Sequence, residues 1–210
     1  MEIATAVPQS AAACDVIQPR SPAVDDDSEL KAMKDALARQ RGYAGFFDWP
    51  DKQQKEAGLL NALAEAAAHL GINMTACETI PPGQDPPDAE ARVGGRKVAI
   101  EFTEFVDQEM IRLAKTGGAA PWRWWTQEEA IAHLKSRIAT KDHAGFGSTT
   151  DYWLVIHCDE PALDSTRFTT YLGSTGALSV HGITRCFLLL SYEPAVGRKP
   201  LLEVCLATAT

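Results

Sequence analysis

Pro86-Pro87-Asp88-Ala89-Glu90-Ala91-Arg92-Val93-Gly94-Gly95-Arg96-Lys97-Val98-Ala99-Ile100-Glu101-Phe102-Thr103-Glu104-Phe105 is the stretch that decides the fold. Two apolar-leaning runs flank a Gly-Gly pair, which is the signature of a β-hairpin. Side chains alternate along a strand, so Val98, Ile100 and Phe102 share one face while Ala99, Glu101 and Thr103 share the other. A carboxylate in the middle of so apolar a strand is costly to bury unless something pairs with it. Folding back at Gly94-Gly95 can bring Asp88, at the start of the first strand, near Glu101 in the second; the register is not fixed by the sequence. Two carboxylates on adjacent strands make a hard-oxygen site suited to Mg²⁺ or Mn²⁺.

The pattern Pro87-Asp88 followed by Glu101-Phe102-Thr103 resembles the core motif of the PD-(D/E)XK nuclease superfamily, which has the restriction-endonuclease-like fold. It is most similar to bacterial members whose second strand reads like Val98 to Glu104 here. The resemblance implies a three-layer α/β domain, a central mixed sheet flanked by helices, with an αβββαβ core over about residues 51–158. It implies hydrolysis of nucleic-acid phosphodiester bonds, with Mg²⁺ (or Mn²⁺) held by Asp88 and Glu101. In the family a glutamate often comes from the helix before the hairpin, and Glu56 is the position that fits. One departure matters. The lysine expected two residues after the glutamate is Thr103, which offers only a neutral hydroxyl; either another cation has taken that role or catalysis is lost.

In several branches of the superfamily the lysine has moved to the helix after the hairpin. Here Thr126-Gln127-Glu128-Glu129 forms a capping box that starts a helix running to about Lys141, with Ile131, Leu134 and Ile138 as its apolar stripe. Lys141 follows the inward stripe and is the first choice for the missing cation; Lys135, on the stripe's other edge, is the second. Lysines also snorkel from such margins with no catalytic duty, and one in the last turn complements the helix dipole. The resemblance further implies a nucleic-acid partner, DNA ahead of RNA, with Arg92, Arg96, Lys97 and Arg123 as phosphate contacts and Glu90 as a reserve ligand. The alternative is a catalytically inactive binding or interaction module on the same fold; a homodimer is left open.

The rest of the chain frames this centre. Asp51 opens a helix lasting to Leu70 and closed by Gly71. Leu59, Leu60 and Leu63 follow Glu56 at helical spacing, so Glu56 lies on the core-facing side. It serves the site or sits half exposed at the positive end of the helix dipole. Gly71 to Ile80 supplies a first strand. Pro121-Trp122-Arg123-Trp124-Trp125 offers rings that can stack on bases, although at least one of Trp124 and Trp125 suits the core better. Tyr152 to Cys158, Arg185 to Ser191 and Leu201 to Leu206 are near-continuous apolar runs that suit strands covered on both faces. A helix spans 162–172 between the first two. His157 and His181 lack ligand spacing and read as structural.

The chain has 210 residues, 45% of them hydrophobic and 23% charged, enough for one α/β domain over 28–210. Residues 1–27 mix Ala, Pro and Ser and end in three aspartates, which reads as a disordered tail. A helix follows at 29–41 and an aromatic linker at 43–50. The net charge of −8 argues against a broadly basic nucleic-acid-coating surface. Five scattered cysteines, three of them in apolar strands, with no secretion signal point to a reducing cytoplasm. No long apolar segment spans a membrane.

Overall fold

Two glycines in the left-handed region, Gly94 (φ 58°) and Gly95 (φ 81°), let the chain reverse between β2 (Ala89–Val93) and β3 (Arg96–Phe105). A type I′-like reversal needs positive φ at both positions, which glycine adopts without a Cβ clash. The strands pair antiparallel from Val93↔Arg96 to Ala89↔Ile100. β1 (Met74–Thr79) adds antiparallel to β2. The computed structural model describes residues 51–84, 86–115, 123–142, 151–160 and 162–209. The expected tail, the helix at 29–41, the aromatic linker, Trp122 and the loops at 116–120 and 143–150 lie outside the described residues.

The hairpin is built into a mixed six-stranded sheet of order β1-β2-β3-β4-β6-β7. β4 (Asp151–Cys158) runs parallel to β3, with Glu101 beside Leu154. β6 (Arg185–Leu190) continues parallel to β4, and β7 (Leu201–Val204) closes the edge antiparallel. The sequence does not announce a second, two-stranded parallel sheet of β5 (Leu178–Val180) and β8 (Leu206–Thr208).

Helices cover both faces. α1 (Lys52–Ala68) places Leu59, Leu60, Leu63 and Ala67 against Val98, Ile100, Trp153, Val155 and Phe187. The opposite face carries α3 (Gln127–Lys141) and α4 (Ser165–Gly173), whose Leu134, Ile138 and Phe168 meet Phe105, Leu154, Ile156 and Leu188. A short α2 (Gln108–Lys115) links β3 towards α3. The result is a three-layer α/β arrangement around a sheet buried on both sides, as the apolar strand runs anticipate. Among the described residues no helix is long and apolar enough to cross a membrane.

Local signals act where expected. Thr126 Oγ1 accepts from Glu129 N, and Glu129 Oε2 accepts from Thr126 N, completing the capping box. Trp125 is buried against Phe105 while Trp124 is exposed beneath the Arg167 guanidinium. His157 is buried, and burial lowers its pKa to about 3, so it is a neutral core residue. Of the three cysteines expected in apolar strands, Cys158 and Cys186 are buried, but Cys205 is exposed between β7 and β8.

Candidate acidic site between helix α1 and the hairpin

Asp51 caps α1 by accepting from Gln53 N (2.9 Å) and Gln54 N (3.1 Å). Starting the helix there puts Lys52 and Glu56 one turn apart. Glu56 is buried one turn before Leu59 and Leu60, the position that the apolar spacing anticipates. Across from it Asp88 enters β2 from the cis Pro86-Pro87 bond. Asp88 Oδ2 accepts the buried backbone N–H of Phe102 at 2.8 Å, and this clamps the start of β2 to β3. One residue beyond the Ala89↔Ile100 pair, the antiparallel register brings Asp88 level with Glu101.

Glu101 is only 7% exposed and belongs to the α3 side of the sheet. Lys141, in the last turn of α3, donates from Nζ to Glu101 Oε1 at 2.5 Å. The end of α3 is fixed in two ways. Tyr152 Oη donates to the Lys141 carbonyl at 3.2 Å, and the Asp142 carboxylate accepts from His181 N (2.8 Å) and Gly182 N (2.9 Å). Lys52 Nζ stands 3.2 Å from Glu56 Oε1 and 3.5 Å from Asp88 Oδ1. Three carboxylates thus meet two ammonium groups, and Glu101 Oε2 is buried with no hydrogen-bond partner among the described residues.

The electrostatics follow from that crowding. Burial raises the Glu56 carboxyl to about 7, Asp88's charge adds to the rise, and Lys52 opposes it. Burial also raises Glu101; Lys141 draws it back, Asp88 raises it further and Lys52 lowers it. The Tyr152 phenol is pushed up by burial and then by the charges of Glu101 and Asp88. These mutual influences make Glu56, Asp88 and Glu101 one electrostatic unit.

Other anticipated residues stand elsewhere. Lys135 is exposed, because it follows Leu134 by a single helical step and turns away from the Leu134–Ile138 stripe. As the second choice for the missing cation it does not reach the acids. Thr103 is half-buried on Glu101's face. Arg92 donates to Gly95 O at 3.1 Å, Arg96 pairs with Asp151 at 3.3 Å and Lys97 with Glu90 at 2.7 Å. All three lie at the hairpin tip; Arg96 and Lys97 are about 14–17 Å along β3 from Glu101. Glu90, the reserve ligand, is thereby engaged with Lys97. Arg123 is wired into the fold instead: it pairs with Asp107 and with Glu129 (3.0 Å) and lies 4.2 Å over the Trp125 ring. It precedes the start of α3, about 20 Å along that helix from Lys141.

Sequence reasoning missed Lys52. The available signal was a Lys–Glu pair at i,i+4 directly behind an N-cap, where a cation opposes the helix dipole and needs a reason to be there. Among the described residues no three of His, Cys, Asp and Glu converge in metal-ligating geometry as the side chains stand. No protein-family model, curated protein or solved structure matches the chain.

Proposed function

We propose that the chain is a metal-dependent hydrolase of nucleic-acid phosphodiester bonds, built on the restriction-endonuclease-like αβββαβ core. The observation that carries the reading is the meeting of the Lys141 ammonium and the buried Glu101 carboxylate beside Asp88. Two features of the fold support it. The order α1-β1-β2-β3-α2-α3-β4, with β3 and β4 parallel, contains the succession expected of such a core, with the short α2 added between β3 and α3. Lys141 also brings a cation to Glu101 from the following helix, where Thr103 brings none.

The donor set fits Mg²⁺ or Mn²⁺ in its chemistry. All three carboxylates offer hard oxygen, and Glu101 Oε2 is a buried acceptor that no described hydrogen bond uses. Asp88 and Glu101 would hold the ion with Glu56 in support, and once bound it would acidify a coordinated water and offset charge on the phosphate. Lys141 holds a positive charge where a reacting phosphate gains negative charge. Asp88, by accepting from Phe102 N, fixes the spacing of the two acid-bearing strands. Tyr152 fixes the carbonyl of Lys141 and so the origin of its side chain. The cations of the hairpin tip, Arg92, Arg96 and Lys97, would serve as phosphate contacts, with Arg123 farther off near the start of α3.

Mg²⁺- or Mn²⁺-dependent cleavage of single- and double-stranded DNA and RNA tests the reading. Asp88→Asn and Glu101→Gln should each reduce it at least a hundredfold while thermal unfolding stays cooperative, because both keep an oxygen acceptor. Cleavage that survives in both purified variants would remove the site from consideration. Thr103 at the usual lysine position favours a second reading, a non-catalytic binding module on the same fold. That reading predicts no Mn²⁺ heat in calorimetry; saturable binding lost in Glu101→Gln would exclude it.

A further inference from the structure

Lys141 stands in the last turn of α3, where a helix frays most readily because its final carbonyls have no intrahelical donors. The residue that follows, Asp142, has φ −79° and ψ 72°, so it does not take the left-handed conformation that closes many helix ends with the chain's own backbone. Closure comes from the Asp142 side chain instead. Its carboxylate reaches the connection between β5 and β6, accepting from His181 N at 2.8 Å and Gly182 N at 2.9 Å, with the His181 Nδ1 at 3.1 Å. That side chain is only 8% exposed. Burial pushes the Asp142 carboxyl up, but the Gly182 and His181 N–H groups and the His181 ring outweigh it and hold it below the usual carboxylate range. An ionised acceptor makes stronger bonds to backbone donors than a neutral one does.

The connection that Asp142 grips is tied in addition to the strand beneath it. Thr184 donates from N and from Oγ1 to the Tyr152 carbonyl, each at 2.8 Å, and Tyr152 Oη donates to the Lys141 carbonyl at 3.2 Å. The contacts close a ring that runs from Lys141 through Asp142, residues 181–184 and Tyr152 back to Lys141. Tyr152 pairs with Ala99 on β3, two residues before Glu101, so the ring fixes the end of α3 relative to the strand that carries the acid. The Lys141–Glu101 ion pair does not do this alone. A flexible four-carbon stem lets an ammonium reach one carboxylate from many backbone positions, and the Lys141 side chain, 29% exposed, has solvent open to it.

We propose that Asp142 is a positioning residue for Lys141: by gripping the His181–Gly182 backbone it docks the last turn of α3 and sets where the Lys141 ammonium stands. The inference deepens the proposed function, in which Lys141 is the cation beside the reacting phosphate, and rests on that reading for its consequence in catalysis.

Acetylation by an N-hydroxysuccinimide ester at pH 8 in EDTA, read by mass spectrometry on the full chain, tests it in wild type, Asp142→Ala and Asp142→Asn. Measured against exposed Lys135 on the same helix, Lys141 should label about fivefold faster in Asp142→Ala. The gain should be smaller in Asp142→Asn, whose amide oxygen still accepts a backbone N–H. Urea unfolding supplies a measurement that a merely stabilising role would leave unmoved. Lys141→Met should lower the folding constant several-fold less in the Asp142→Ala background than in wild type, because a released ammonium no longer serves Glu101. If Asp142 only stabilises the fold, the loss is the same factor in both backgrounds. Lys141 labelling that keeps its wild-type ratio to Lys135 in both variants, or an undiminished Lys141→Met loss, overturns the proposal. Should Asp142→Ala fail to fold, Asp142→Asn carries both measurements. Neither needs metal or nucleic acid. Faster labelling with a diminished loss in a protein that cuts no nucleic acid keeps this inference and rejects the hydrolase; cleavage with unaltered Lys141 labelling does the reverse.

Discussion

Glu56→Gln should stabilise the metal-free protein at pH 8 and leave it nearly unchanged at pH 5. The carboxyl is raised from its ordinary 4.5 to about 7 in the fold, first by burial and then by Asp88, against the opposing pull of Lys52. An acid whose folded pKa lies above its unfolded one binds more protons in the native state, so stability falls as pH rises between the two values. Each tenfold change in the acid constant corresponds to about 1.4 kcal/mol. The rise from 4.5 to about 7 therefore costs the ionised fold about 3 kcal/mol, fully expressed above the folded pKa and absent below the unfolded one. Glutamine keeps the shape and one acceptor but carries no charge, so it escapes this cost. Urea unfolding of wild type and Glu56→Gln in EDTA, from pH 5 to pH 8.5, measures it. The stability difference should be under about 1 kcal/mol at pH 5 and reach about 2–3 kcal/mol by pH 8. Titrations of groups distant from Glu56 are common to both proteins and cancel. A difference that stays constant across this range would refute the crowding of Glu56 against Asp88.

Lys141→Met strands the buried Glu101 charge. Loss of one partner of a fully buried pair costs about 3–5 kcal/mol, and the partial exposure of Lys141 lowers this to about 2 kcal/mol. Adding Glu101→Gln to that variant should recover most of the loss in urea unfolding, and failure to recover would show that the pair is not coupled. Leu134→Ala, at a position with no exposure on the inward face of α3, should cost about 3 kcal/mol and lower the melting midpoint by about 10 °C in calorimetry.

Much of the candidate site is legible because its parts are local. Gly94-Gly95 sets the hairpin reversal, and the Thr126–Glu129 box sets the start of α3 and hence which helical positions face inward. Once α3 starts at Gln127, the Leu134–Ile138–Lys141 spacing directs Lys141 and turns Lys135 away. The adjacent tryptophans before the cap part company, with Trp125 buried against Phe105 and Trp124 in solvent. The partners of Arg123 are not legible in this way: Asp107 reaches it from beyond the end of β3, a pairing that no helical or strand period encodes.

What the amino-acid order alone determined is the set of elements whose signals repeat at 2.0 or 3.6 residues or sit at a turn: α1 with Glu56 on its core-facing side, the hairpin, α3, β4 and β6. Tertiary structure decided the rest. The strand register brought Asp88 level with Glu101, and the packing of α1 over the sheet carried Lys52 to Asp88. The parallel pairing of three-residue β5 with β8 joins segments too short to signal themselves. The physical reason is common to all three. A local period fixes which face a side chain takes, whereas a contact between distant segments forms only when burial of both apolar faces sets their relative position.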